Sequence, residues 1–243
     1  MSRALSTLLL FAGLFGGLAG AASLDELLAQ EARWVAQAQV DPTDAAVVRQ
    51  LSAVRTEVGN ALWRKGDLDG AIDYLANAVK FDPTHAERFE RLADLLLYRP
   101  EPQAVFLAQS YYEDALALEP QRRGCRAKLA ASYLETYEVL DAQRHLKVLV
   151  LNGGGTPDGL YVQSLVVTYL ELGAAEAGYR FMTKRVGAGG DARFAVAQGV
   201  LLQAMGLKGT AKMILSAVAE GEQPALAAYA RGLLKRYTRE GAR

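Results

Sequence analysis

The chain has 243 residues, with 27 Lys+Arg against 27 Asp+Glu, 51% hydrophobic and 22% charged residues. This ordinary globular balance excludes a disordered chain, a collagen-like one and a strongly basic nucleic-acid binder. One cysteine cannot form an internal disulfide or a multi-thiolate zinc site, and two histidines leave little for catalytic metal chemistry.

Taken in chain order, the first feature is a processing signal. Arg3 supplies a short positive region, an apolar stretch runs from Leu5 to Gly20, and the small residues Ala19-Gly20-Ala21-Ala22 fit a cleavage site after Ala21 or Ala22. Residues 5–22 would be about 27 Å long as a helix, nearly a bilayer span, so an uncleaved anchor is the alternative. The glycines, the small residues and the acidic flank (Asp25, Glu26) favour cleavage. Residues 1–22 are therefore expected to be a signal peptide and the mature chain periplasmic, with an inner-membrane-anchored form as the alternative. No cysteine near the site speaks for a lipoprotein, and Cys125 is expected to be an unpaired packing residue.

Ser23-Leu24-Asp25-Glu26 has the form of a capping box that opens an amphipathic helix carrying Leu24, Leu27, Leu28, Trp34 and Val35. Residues 23–51 are read as this capping helix and a lead-in. Next comes Val58-Gly59-Asn60-Ala61-Leu62, then Gly66-Asp67-Leu68-Asp69-Gly70-Ala71, Leu75, Ala78 and Asp82-Pro83. The small residues Gly59, Ala71 and Ala78 would let two helices approach closely while Leu62 and Leu75 fill the gaps. Pro83 would stop the second helix, and Thr84-His85-Ala86-Glu87 could cap the next.

The pattern recurs with Leu92, Ala93, Ala108, Tyr112 and Ala115, then with Leu129, Ala130, Tyr133, Ala142 and Leu146. Weaker copies hold Leu165, Tyr169, Gly173, Gly178 and Met182, then Gly199, Leu202, Gly206, Ala211 and Leu215. The small residue opening each second helix steps through Ala71, Ala108, Ala142, Gly178 and Ala211, at intervals of 37, 34, 36 and 33 residues. The sequence thereby resembles the tetratricopeptide-repeat family, whose units of about 34 residues are helix–turn–helix pairs. The resemblance implies an all-α, right-handed superhelical solenoid of about five helix pairs over residues 52–221. A C-terminal capping helix is expected at 222–243, after Pro224 and carrying Leu226, Tyr229, Leu233, Leu234 and Tyr237.

In that family the first helices of successive pairs line a concave groove that binds a protein partner. Carried over, the resemblance puts Asn60, Trp63 and Arg64 in the groove from the first unit, and Glu87, Glu90, Arg91, Asp94 and Tyr98 from the second. Lys128 comes from the third, Val167 and Leu170 from the fourth and Arg193 from the fifth. Trp, Tyr and Arg are the types that most often dominate interfaces, and Val167, Leu170 and Val200 form an apolar stripe suited to a helix or extended peptide.

Signals for chemistry are few. His85 and His145 lack companions at ligand spacing, and the serines lack a nucleophile elbow. Asn152-Gly153-Gly154-Gly155 has no Gly-Lys-Ser/Thr ending. No catalytic residue, cofactor or metal is expected. Charge is unevenly spread: residues 23–120 hold 9 basic and 17 acidic side chains, residues 180–243 hold 11 basic and 4 acidic. The sequence thus reads as a non-enzymatic, exported scaffold that takes a peptide or helix of a cell-envelope protein, not nucleic acid, with peripheral contact to membrane or peptidoglycan through its basic end. The alternatives are an accessory to an envelope enzyme or metal-handling system, and a membrane-anchored assembly factor.

Overall fold

In the computed structural model, residues 22–152, 159–186 and 191–240 are described. The apolar N-terminal stretch (residues 1–21) and the glycines that follow Asn152 lie outside them. Among the described residues there are twelve α-helices and no strand, so the all-α class expected from the repeats is the one adopted. The helices fall into two compact units, residues 1–135 and 136–243.

Unit 1 contains α1 (Leu24–Val40), α2 (Ala45–Arg64), α3 (Leu68–Phe81), α4 (Ala86–Leu96), α5 (Pro102–Leu118) and α6 (Arg123–Glu135). The Ser23–Glu26 capping box forms as expected: the Glu26 amide donates to Ser23 Oγ, and the Ser23 amide donates to Glu26 Oε2. Asp44 and Asp67 cap α2 and α3 by accepting from amides of their first turns. Between α2 and α3, Gly66 takes a left-handed φ of 85° while the Asp67 amide returns to the Leu62 carbonyl, which ends α2 in a Schellman turn.

The small residues then do what their spacing suggested. A Cβ on Gly59 would lie 3.0 Å from Leu75 Cγ and 3.1 Å from the Ala71 carbonyl, so α2 and α3 touch backbone to side chain there. Ala71, Leu75 and Ala78 have no exposed surface, nor do Ala93, Ala108, Tyr112 and Ala115 in the α4/α5 pair. Each leucine buried in this way contributes roughly 1.5–3 kcal/mol. On the other side of α2, α1 adds Leu27 to Val54, Val58 and Ala61.

One expectation fails. Thr84 and Glu87 do not form a capping box: the N-cap of α4 is His85, and its side chain caps nothing. Asp82 takes Thr84 instead, accepting from its hydroxyl at 2.6 Å. The reason is that Asp82 is itself held from within, by Arg88 Nη1 at 2.9 Å, and so presents a fixed carboxylate at the turn. Arg88 also donates to Ser52 Oγ, and that hydroxyl donates to the Ala78 carbonyl, which locks α2, the end of α3 and α4 through one buried polar knot. Burial raises the Asp82 pKa, but the Thr84 and Arg88 hydrogen bonds outweigh it and hold the carboxyl below its ordinary value.

Unit 2 contains α7 (Val139–Leu151), α8 (Gly159–Glu171), α9 (Ala175–Val186), α10 (Ala192–Ala204), α11 (Lys208–Ala219) and α12 (Pro224–Glu240). Helix α8 packs on α7, α9 and α10, and α10 packs on α9, α11 and α12, so α8, α10 and α12 form one layer with α7, α9 and α11 behind it. Gly173 (φ 63°) and Gly206 (φ 79°) repeat the Gly66 turn, with Ala174 and Leu207 amides returning to the Tyr169 and Leu202 carbonyls. The turn before α7 is different: Tyr137, 78% exposed, takes φ 62° where the others use glycine. Close packing again depends on glycine. A Cβ on Gly178 would fall 2.7 Å from the Tyr169 ring, and one on Gly199 would fall 2.6 Å from Leu215 Cγ. Leu215, Val218, Ala230 and Leu233 join α11 to α12.

Candidate functional site

Helices α2, α4 and α6 of unit 1 present polar and aromatic side chains that reach from one helix to the next. Asn60 on α2 accepts from Arg91 Nε on α4 at 3.2 Å. Further along α2, the Trp63 ring meets Tyr98, in the turn that follows α4, with centroids 4.8 Å apart and planes tilted by 46°. Asn60 and Trp63 are about one turn apart on α2, so they share a face, and the turn after α4 brings Tyr98 to that face. Tyr98 is 48% exposed and Trp63 half-buried, which leaves an aromatic surface open to solvent. Arg64 is exposed beside them and donates from Nε to the Asn60 carbonyl. Glu87 is exposed one turn before Arg91.

Between α4 and α6 the links are ionic. Lys128 Nζ donates to Asp94 at 2.7 Å and to Glu90 at 3.0 Å, and Arg122 Nε donates to Glu90 at 2.9 Å. The Tyr112 hydroxyl rises from α5 to donate to Asp94 at 2.6 Å. Burial raises the Glu90 pKa, but Lys128 and Arg122 outweigh it and the net shift is downward. For Lys128 burial lowers the pKa, and Asp94 and Glu90 reverse this to a net rise. Burial, reinforced by the Asp94 charge, pushes Tyr112 far above the usual phenol range. Glu90, Lys128 and Tyr112 are thus each shifted away from neutral pH, towards the ionisation state they ordinarily have there. The network is a fixed wall, not a proton-transfer site.

Arg91 differs from these neighbours. It is half-buried, its one hydrogen bond goes to a neutral amide, and among the described residues it meets no carboxylate. Its remaining guanidinium N–H groups, with Arg64 and the Trp63–Tyr98 rings, make a surface of cation donors next to aromatic area. That combination suits a peptide bearing an acidic and an apolar side chain.

The other anticipated contacts lie in unit 2. Val167 and Leu170 are 45% and 36% exposed on α8. Val200 is half-buried and packs onto the α11–α12 cluster. Arg193 is engaged by Asp191, with Nε and Nη2 both donating to its carboxylate, and burial of Asp191 is outweighed by this pair so that its pKa is lowered.

The nucleophiles and ligands are dispersed. His85 sits at the surface 3.1 Å from Asp82, and His145 is 3% exposed within unit 2. Cys125 is 1% exposed and its thiol, pushed by burial to about 12, faces the Tyr112 carbonyl. Among the described residues no group of three or more His, Cys, Asp or Glu could hold a metal ion, and no helix is long and apolar enough to cross a membrane.

Two members of the α4–α6 wall were not anticipated as site residues. Tyr112 reads in sequence as a core residue, which its ring is, and only the hydroxyl reaches the wall. Arg122 precedes α6 and falls outside any repeat pattern. A signal did exist: Asp94 and Lys128 are 34 residues apart and Glu90 and Arg122 are 32 apart, opposite charges about one repeat apart.

No family model matches the sequence, and no curated protein does. Solved structures do resemble the fold. One is the crystal structure of MamA, with a TM-score of 0.51 and 18% identity over 68% of this chain and 88% of that one. A second is Naa15/Naa10 bound to HypK-THB, with a TM-score of 0.56 and 14% identity over 90% of this chain and 34% of the other. A third is YrrB, described as a TPR protein with an unusual peptide-binding site, at 18% identity over 68% of this chain and 84% of that one, with a TM-score of 0.42. With the helix pairs, the glycine turns and the small-residue contacts in place, the chain has the tetratricopeptide-repeat fold.

Proposed function

We propose that this protein is an exported, non-catalytic scaffold whose unit 1 holds a peptide or helix of a cell-envelope protein on the face formed by α2, α4 and α6. The observation that carries this reading is the solvent-open Trp63–Tyr98 pair beside Arg91, a guanidinium without a carboxylate. Exposing aromatic area costs solvation that a monomer recovers only when a partner covers it. The ion-paired wall of Glu90, Asp94, Lys128, Arg122 and Tyr112 supports the face by keeping it rigid before the partner arrives, which lowers the entropic cost of binding. Export rests on the N-terminal pattern of residues 1–22, and the basic end of unit 2 supplies a second, peripheral contact to the envelope.

The test is site-specific photocrosslinking in the envelope fraction. A photoreactive residue at Tyr98 is expected to trap a discrete partner, the yield is expected to fall with Arg91→Glu, and the same residue at Asn77, exposed on α3, is expected to trap none. Equal trapping at both positions, or at neither, would overturn the assignment of the face. Mass spectrometry of the native N-terminus checks the export reading, since a chain that begins at residue 22 or 23 is expected and one retaining residues 1–21 would refute cleavage.

A further inference from the structure

Helix α12 is amphipathic in an unusual way. Its inner face packs Ala227, Ala230 and Leu233 against α11 and α10. Its solvent face carries Arg231, Lys235, Arg236 and Arg239, all exposed, and between Pro224 and Arg239 the helix has no acidic residue. The helix advances about 1.5 Å per residue, so Arg231, Lys235 and Arg239 form a line about 12 Å long with Arg236 beside it. Arg231 places one N–H on the Ala219 carbonyl at the end of α11, while Lys235, Arg236 and Arg239 engage no carboxylate among the described residues. The solvent side of α11, against which α12 lies, adds Lys208 and Lys212, exposed and without a carboxylate among the described residues, together with Leu207 and Met213 at 51% and 67% exposure. Tyr229, 43% exposed, continues the apolar component on α12 itself.

We infer that the solvent side of the α11–α12 hairpin is a docking surface for an anionic phospholipid bilayer. This deepens the reading of the basic end as an envelope contact and is independent of the unit 1 face. The charges are complementary to such a surface: the two helices carry six cations, and the carboxylates of the hairpin are confined to Glu240 at the end of α12 and to Glu220 and Glu222 in the connection. Their arrangement also selects the partner. The cations are long, separately solvated side chains on an open face, without the fixed pocket that a single acidic group would need. Exposed Leu207, Met213 and Tyr229 among them have a use at the headgroup–acyl boundary and none on a peptidoglycan strand.

The experiment is sedimentation of the full chain with vesicles of phosphatidylcholine alone or mixed with phosphatidylglycerol in roughly equal parts. The apolar N-terminal stretch is common to all samples and contributes to both vesicle types, so the readout is the preference for anionic vesicles. A preference of at least about tenfold is expected at ~0.1 M salt, collapsing as salt rises and the Debye length shortens. Since each cation near the surface contributes about a factor of five, Lys235→Glu/Arg236→Glu/Arg239→Glu should lower anionic partitioning by roughly a hundredfold or more. The corresponding triple Ala variant, which favours the helix, should fall between that and wild type. Reversal of three exposed cations of unit 1, Arg33, Lys65 and Lys80, should leave it nearly unchanged. Absence of an anionic preference, or equal losses in the two reversal variants, would overturn the assignment. Loss of this preference with Tyr98 crosslinking intact would show that the two surfaces act separately.

Discussion

The two units have the same helix–turn–helix plan and stabilise it differently. Unit 1 spends charge in its interior: Arg88 and Asp82 are buried together over Ser52, and α4 is tied to α6 by Glu90, Asp94, Lys128 and Arg122. Unit 2 joins its helices through neutral contacts beside the Arg193–Asp191 pair. Gln143 reaches the Thr168 hydroxyl, Gln198 donates to the Thr183 hydroxyl, and glycines admit whole side chains at Gly178–Tyr169 and Gly199–Leu215. The contrast extends to the surface, where unit 1 offers an aromatic pair beside a paired wall and unit 2 offers unpaired cations on α11 and α12. A repeat fold thus leaves the choice of cross-links free, and that choice sets which unit responds to pH and which surface is rigid.

Breaking the buried charge of unit 1 should have the largest effect. Arg88→Ala leaves Asp82 and Ser52 buried without their donor and should cost about 3–5 kcal/mol, measured by denaturant unfolding. In unit 2 the matching insult is steric: Gly199→Val drives a side chain into Leu215, already 2.6 Å from where a Cβ would stand, and should cost about 1–3 kcal/mol or more. If Arg88→Ala proves as mild as a surface mutation, the difference drawn between the units fails.

Acid should separate the units next. Asp82 and Glu90 have depressed carboxyl pKa values in the folded state, so their contribution is present above the ordinary carboxylate pKa of about 4 and is lost as pH falls through their folded values. Lys128 is raised, so its contribution persists at and below its ordinary pKa of about 10.4 and is lost as pH rises beyond it through the folded value. Among the described residues of unit 2, Asp191 is the carboxyl with a depressed value. Hydrogen exchange at falling pH should therefore show α2–α4 of unit 1 losing protection before α8–α11 of unit 2. The reverse order would sink the argument.

A smaller effect sharpens the comparison of turns. Tyr137→Gly removes the left-handed strain of a bulky residue and should stabilise unit 2 by about 1 kcal/mol, less the entropy glycine adds to the unfolded chain, whereas Gly66→Ala should cost a similar amount in unit 1. The smallest effect is chemical. Cys125 should react with a thiol reagent slowly in the native protein and rapidly once unfolded, because its thiol is buried and protonated.

Much of this was legible in residue order because the repeat constrains it. The intervals between Ala71, Ala108, Ala142, Gly178 and Ala211 gave the small position of each second helix, and all four alanines are completely buried. The Ser23–Glu26 box was legible because both partners lie within one turn. The Thr84–Glu87 box was equally plausible locally and did not form, since Arg88 fixes Asp82 and the Asp82 carboxylate claims the Thr84 hydroxyl. Among the site residues, the tilted contact of Trp63 with Tyr98 and the bond between Asn60 and Arg91 join residues 35 and 31 apart. No local rule predicts such pairs.

By itself the sequence determined the helical class, the period and the small residues at the helix contacts, because each depends on neighbours within one or two turns or on the repeat itself. Only the tertiary structure decided which charges cancel and which stay open. Lys128 is engaged by Asp94 and Glu90 and Arg193 by Asp191, while Arg91 and Lys235, Arg236 and Arg239 of α12 meet no carboxylate among the described residues. The physical reason is distance: whether two charges pair depends on a few ångströms between side chains of different helices, and only packing sets that separation.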